Sequence, residues 1–221
     1  MLWELHTHTY EVSYCSNISA KELVEKHIEK GYTGIVVTDH YTKDYFSSLG
    51  NLSLKEQVDE YLRGYRLAKK TAGDDLIVLL GMEIRFPENM NDYLVFGVDE
   101  DFLYDNLELY NLGYVKFKKL CDEKGYILIQ AHPFRAGMVR ANTKYLHGIE
   151  VHNGHPWHDS RNELALEFAN DNNVEIHTYG SDVHNLEHIG TGSVITEFNI
   201  QNSNDLLTVL KNNSFSLKIC Q

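Results

Sequence analysis

The sequence predicts an α/β fold on a mostly parallel sheet, either closed into a barrel or left open and doubly wound. Three observations lead there. Short apolar runs of strand length alternate with longer stretches of helical periodicity along the chain, which is the pattern of βαβ units. About seven or eight strands can be counted this way, enough to close a barrel. No glycine-rich GxGxxG or P-loop follows any of them, which weakens the nucleotide-binding open sheet. With 221 residues, 43% hydrophobic and 24% charged, the chain reads as one domain, 1–221, with a sizeable core.

Trp3–His8 is expected as the first strand. Ser19-x-x-Glu22 is a capping box; Leu23, Val24, His27 and Ile28 continue at helical spacing, and Gly31 ends that helix. Gly34–Thr38 is a buried strand, Ser53-x-x-Glu56 opens a helix running to about Ala72, and Leu76–Leu80 and Leu94–Val98 are strands. A helix spans Leu109–Lys124 and closes at Gly125. Tyr126–Ala131 and Gly148–Val151 are strands. Ser160-x-x-Glu163 opens a helix ending near Asn172-Asn173, and Val174–Thr178 and Ser193–Phe198 are strands. A helix from Asn204 to Lys211 and a strand from Phe215 to Ile219 complete the chain.

The formal net charge of −12 argues against a broad nucleic-acid surface, which needs clustered Lys and Arg. It leaves room for a small anionic substrate if bound metal reverses the local sign. Cys15, Cys121 and Cys220 form no CxxC pair and suggest no disulfide framework, so a cytoplasmic setting is expected. No apolar run approaches the roughly 18 residues of a membrane span. Met1-Leu2-Trp3-Glu4-Leu5-His6 has neither a basic region nor the apolar run of a signal peptide.

The informative pattern is where metal-ligand residue types fall. His6 and His8 end the first strand, Asp39-His40 the second. Glu83 follows the third, His132 follows Ala131, Asn153 follows Val151, and Asp182 and His184 follow Thr178. In a parallel α/β barrel all these positions reach the C-terminal rim. Imidazoles and carboxylates together are ligands for Zn, Mn or Fe. A His-x-His pair on a strand points both rings one way, because the strand period is two. Each piece alone is commonly coincidence or a helix cap; the joint occurrence carries the argument.

These segments, in this order, resemble the PHP (polymerase and histidinol phosphatase) family: His6-Thr7-His8-Thr9, Val37-Thr38-Asp39-His40, Gly81-Met82-Glu83, Ala131-His132-Pro133-Phe134-Arg135, Gly148 to Gly154, and Gly180-Ser181-Asp182-Val183-His184. The resemblance implies a distorted (β/α)7 TIM-like barrel and, for small members, a metal-dependent phosphoesterase with two or three divalent ions. It implies that His6, His8 and Asp182 bind one ion, that Glu83 bridges two, that His132 holds the second, and that His40 and His184 hold a third. Where the family usually has a further histidine, this chain has Asn91-Asp92-Tyr93-Leu94; Asp92 is the candidate substitute, with Asp99 the alternative. Where many members supply a third-site ligand, it has Ser13-Tyr14-Cys15-Ser16, with Cys15 a soft candidate.

Two or three clustered ions suit phosphoester hydrolysis. Glu83, Asp182 and His184 are the expected catalytic residues. Arg135 is expected to contact phosphate, ahead of Lys43 and Arg140, and Asn153 to orient substrate or water. One of His152, His155 and His158 could protonate a leaving group; His27, His147, His177 and His188 are assigned to packing or surface. The expected activity is hydrolysis of a small phosphorylated metabolite or nucleotide. The alternatives are hydrolysis of a C–N bond by the same metal-water chemistry, or a non-catalytic metal-binding module. A polymerase-attached role is not expected with nothing following the domain. No motif selects one substrate, one metal or one oligomeric state.

Overall fold

The computed structural model describes residues 1–220. Ten strands form one sheet: β1 (Leu2–Thr7), β2 (Gly34–Val37), β3 (His40–Tyr41), β4 (Ile77–Arg85), β5 (Asp92–Phe96), β6 (Ile127–Gln130), β7 (Gly148–Asn153), β8 (Ile176–Gly180), β9 (Ser193–Ile195) and β10 (Ser216–Lys218). Eight α-helices surround it: α1 (Ala20–Glu29), α2 (Lys43–Ser48), α3 (Leu54–Tyr61), α4 (Arg63–Ala72), α5 (Glu100–Asp105), α6 (Tyr114–Lys124), α7 (Asn162–Asp171) and α8 (Ser203–Lys211). The sheet order is β10-β9-β1-β2-β4-β5-β6-β7-β8, with β3 beside β4. A bridge from Thr7 to Val183, just past β8, brings the far side back to β1. Val183 donates its N–H to His6 O (3.1 Å) and accepts from His8 N (3.0 Å). The result is a nearly closed, distorted TIM-like barrel.

Leu5, Val36, Leu79, Leu94, Phe96, Ile127 and Ile129 belong to one buried cluster, which Leu206, Leu207 and Leu210 of α8 complete. We read this cluster as the barrel lumen, plugged at its lower end by α8. A second cluster packs the other sheet face against the helices, through Leu23, Val24, Ile35, Val37, Leu62 and Met82 among others. Leu79 and Glu83 lie four residues apart on β4 and therefore face the same way, so the strand that lines the lumen also lifts Glu83 to the rim. The β1–β2 register shifts between Glu4 and Thr7, a local irregularity at the point where β1 passes from Leu5 to His6.

The sheet is less parallel than expected. β5 runs antiparallel to both β4 and β6, and β9 and β10 pair antiparallel at the β1 edge. A short connection from Arg85 to Asp92 joins β4 directly to β5. The helix expected from Ser53 to Ala72 divides at Leu62, although the capping box at Ser53 forms as read. The stretch 109–124 is a short 3-10 turn followed by α6. Ser160 does not cap α7, which follows Arg161 in a left-handed conformation (φ 49°); Ser160 Oγ instead donates to Asn153 Oδ1 at 3.2 Å. Asp99 caps α5 by accepting from Phe102 N, a helix too short for periodicity to reveal.

Candidate metal centre

Strand ends deliver the ligand-type side chains to one rim. His6 lies on β1 and His8 just after it; His40 is on β3, Glu83 on β4, His132 two residues past β6, and Asp182 and His184 just past β8. Because β5 is reversed, its first residue, Asp92, arrives at the same rim, opposite Arg85 in the β4–β5 register. All these side chains are buried except His40, which is partly exposed.

Glu83 is enclosed by four imidazoles. Its Oε1 lies 3.5 Å from His6 Nε2 and 3.1 Å from His132 Nε2; its Oε2 lies 3.3 Å from His8 Nε2 and 2.9 Å from His40 Nδ1. Asp182 Oδ1 is 3.4 Å from His6 Nε2, 3.3 Å from His8 Nε2 and 3.3 Å from His184 Nδ1. Most of these separations exceed a normal N–H···O bond, and the short His40 approach is misdirected for one. His6 Nε2, His8 Nε2, His40 Nδ1 and Glu83 Oε2 are buried with no hydrogen-bond partner, a rare condition for polar atoms. Metal–N and metal–O bonds of about 2.0–2.2 Å place two ligands of a tetrahedral ion about 3.4 Å apart. The observed spacings cluster around that value, so the donor set fits divalent cations.

A second layer fixes the rings. His6 Nδ1 donates to Glu150 Oε1 at 2.8 Å. His8 Nδ1 lies 3.3 Å from Ser13 Oγ, which in turn donates to Asp39 Oδ1 at 2.7 Å. His184 Nδ1 donates to the backbone carbonyl of Asp182 at 3.0 Å. With Nδ1 engaged outward, each ring turns its Nε2 to the position a cation would take on losing any second proton. Glu150 Oε2 also accepts from His132 N (2.9 Å) and Asn153 Nδ2 (3.0 Å). Glycine at 180 is required, because a Cβ there would stand 2.5 Å from His6 Cβ and 2.7 Å from Glu150 Oε1. His132 (φ 29°) and Asp182 (φ 53°) occupy the left-handed region, a backbone cost of about 1–3 kcal/mol each that the surroundings must offset.

A cleft of about 380 Å³ opens onto these atoms; its walls include Arg85, Asp92, Arg135, His155, Trp157 and His158. Arg85 grips Asp92 in a two-pronged ion pair, both contacts 2.8 Å. Arg135 Nη2 donates to Asp182 Oδ2 (2.6 Å) and Asn153 Oδ1 (2.8 Å). Asp182 thus turns one oxygen to the imidazoles and the other to a guanidinium.

Residues 4–178 match the PHP domain family, and residues 159–215 match a PHP-associated family. The chain belongs to the PHP domain family. A search of curated proteins gave no match. Among solved structures, a two-domain protein from Bacteroides vulgatus, described as containing a predicted PHP-like metal-dependent phosphoesterase, superposes with a TM-score of 0.73 at 16% identity. That match covers 99% of this chain and 64% of the other, so the chain spans less than two thirds of that protein. PsfC from Pseudomonas syringae gives 0.71 at 16% identity, over 99% of this chain and 91% of that one. An amidohydrolase from Chromobacterium violaceum with bound sulfate and no metal gives 0.52 at 13% identity, over 82% and 87%. The barrel is therefore that of a PHP domain.

The electrostatics of this PHP rim follow from packing imidazoles against carboxylates out of water. Burial opposes charging His6, but Asp182, Glu150 and Glu83 outweigh it and hold its pKa well above the usual imidazole value. Burial likewise opposes charging His184, yet Asp182 and Cys15 push it up to about 10. His8 is held well below by burial and by His184 and His40. Glu83 and Asp182 lie well below the carboxylate range despite burial, Glu83 through His6 and His40, Asp182 through His6 and His184. The stability that His6 and His184 contribute is complete below the ordinary imidazole pKa of about 6.5 and is lost as pH rises through their raised values, about 10 for His184. The metal-free protein should therefore melt at a lower temperature at pH 9 than at about pH 7. Over the same interval metal binding should tighten, since it needs neutral imidazoles. Calorimetric titrations at about pH 7 in two buffers of different ionisation enthalpy should register proton release; none would show that the rings already lack their protons.

Some sequence candidates lie elsewhere. Lys43 begins α2, and Arg140 lies over the Phe134 ring, 5.5 Å from its centroid; neither lines the cleft. His152 Nε2 donates to Thr191 O. His27 is buried against Leu23 O, and His147 and His177 make local contacts. His188 is fully buried beside the centre, its Nδ1 accepting from His184 N at 3.2 Å. Glu150, Ser13 and Arg85 are the contributors that sequence reasoning did not single out. A carboxylate inside the apolar run Gly148-Ile149-Glu150-Val151 was the available signal for Glu150.

Proposed function

We propose that this chain is a phosphoesterase that hydrolyses a small phosphorylated metabolite or nucleotide at a centre of two or three divalent ions. The observation that carries the reading is Glu83, one carboxylate whose two oxygens face two different imidazole pairs, beside a cleft walled by two guanidinium groups. His6, His8 and Asp182 would hold one ion. Glu83 would bridge to a second with His132 and Asp92, and His40 and His184 would hold a third. When bound, such ions supply Lewis acidity to phosphoryl oxygens and lower the pKa of water.

The chain's own groups do the rest. Arg135, steadied by Asn153, and Arg85 orient the anionic group. Asp182 and Glu83 keep the imidazoles aimed inward. His155 Nδ1 accepts from Trp157 N at 3.3 Å, which leaves Nε2–H as a donor to the leaving oxygen; burial pushes its pKa down to about 3, so it stays neutral. The net reaction adds water to phosphorus, breaks the ester P–O bond and returns a proton to the departing alcohol.

The test is hydrolysis of an aryl phosphate by protein reconstituted separately with Mn, Zn and Fe, with Asp182→Asn as control. Metal-dependent turnover lost in the control supports the reading. The similarity to an amidohydrolase favours one second reading, C–N bond hydrolysis. Metal-dependent turnover of amide or amidine substrates, with none of phosphate esters, would put it first.

A further inference from the structure

We propose that Cys15 is a metal ligand, its sulfur joining His184 and His40 in a soft outer cation position at the mouth of the centre. The inference rests on the metal-centre reading above and adds to it the nature of one site. Cys15 follows β1 on the loop that crosses the rim and lines the cleft beside His40 and His184. Its Sγ lies 3.1 Å from His184 Nε2. That nitrogen is the one left to a cation, because His184 Nδ1 is committed to the Asp182 carbonyl.

The surroundings point independently to a cation. His8, His40 and His184 each offer a nitrogen within 4.8 Å of the others. The ring centroid of His8 lies 4.4 Å from that of His40 and 4.3 Å from that of His184. Of the outer pair, His40 Nδ1 is a buried atom with no hydrogen-bond partner. Two imidazoles, His184 and His40, face one thiol, more than a hydrogen-bonded cysteine needs. Zinc bonds of about 2.3 Å to sulfur and about 2.0 Å to nitrogen set two ligands of one tetrahedral ion about 3.5 Å apart. Cys15 and His184 need to separate by only a few tenths of an ångström to reach that spacing.

A thiolate with two imidazoles is a borderline-soft set, suited to Zn or Co and poorly suited to Mn, whereas the inner carboxylate-rich positions accept either. The structure thus assigns different metal preferences to inner and outer positions of one centre. The outer position would empty first when the thiol is oxidised or alkylated.

Titration of the metal-stripped full chain with Co(II) tests this, using the unaltered protein, Cys15→Ser, Cys15→Asp and, as a control, Cys220→Ser. The expected result is a thiolate-to-cobalt charge-transfer band in the near ultraviolet for the unaltered protein and Cys220→Ser. It should be absent from Cys15→Ser, which should also bind one ion fewer. Cys15→Asp should regain the ion without the band and favour Mn over Zn relative to the unaltered chain. Visible Co(II) spectra with full stoichiometry, no charge-transfer band and no change in Cys15→Ser would overturn Cys15 as a ligand while leaving the inner centre standing. No cobalt bound by any variant would overturn both. Circular dichroism of each variant separates ligand loss from misfolding.

Discussion

Replacing Glu83 by alanine is expected to remove at least one ion per chain and to lower turnover by about a thousandfold. The estimate follows from the several kcal/mol a bridged Lewis-acid pair contributes to a transition state, at 1.36 kcal/mol per decade. The structural ground is that Glu83 Oε1 faces His6 and His132 while Oε2 faces His8 and His40. No other carboxylate faces all four rings among the described residues, so no neighbour can take over. Metal analysis by mass spectrometry and steady-state turnover on the same preparation decide the matter. Unchanged metal content with full activity would dismantle the site as drawn.

The second large effect is predicted for Glu150→Gln, at a residue with no place in the expected ligand set. The glutamate accepts three hydrogen bonds, from His6 Nδ1, His132 N and Asn153 Nδ2. A carboxamide has the same shape, but one of its two positions is a donor. Either His6 Nδ1–H or the His132 amide then faces another N–H, and His6 is released to move its proton to Nε2, the atom needed by a cation. Metal affinity should fall about 10- to 100-fold, the usual effect of removing an outer-layer partner. The metal-free protein should also lose about 1–3 kcal/mol through the unsatisfied buried donor. Competition against a chelator gives the first quantity and urea unfolding the second. An unaltered affinity would mean that the ring is oriented by packing alone.

Much of the site was legible because it obeys strand geometry. His6-x-His8, Asp39-His40, Glu83, His132 and Asp182-x-His184 each follow an apolar run, and in a barrel the ends of such runs share a rim. What periodicity cannot encode is strand direction. β5 reads as an ordinary apolar strand, yet it runs backwards, and only that reversal brings Asp92 to the rim and pairs it with Arg85. The break at Leu62 was invisible for a similar reason: α3 and α4 are each helical in pattern, and no Gly or Pro separates them. Capping was ambiguous in both directions. Ser19 and Ser53 cap as their sequence suggests, whereas Ser160 serves Asn153. Arg135 was recognisable as a cation near the site, but its ion pair with Asp182 joins residues far apart in sequence and depends on the closed fold. No helix among the described residues is long and apolar enough to cross a membrane.

The place where the barrel closes has a mechanical meaning beyond ligation. One end of β1 is laddered to the loop after β8 at the Thr7–Val183 bridge and the other to β9 at Leu2 and Trp3, and the proposed ligands flank the first contact, His6 and His8 on one strip, Asp182 and His184 on the other. A cation shared between them would work as a clasp across that contact. It would tie His6 to Asp182, as a cross-link does, and the loop so closed exceeds 100 residues; in the chain-entropy account such a closure is worth on the order of 5 kcal/mol. Loading the site and locking the barrel shut would then be one event, with the protein most rigid when the proposed centre is full.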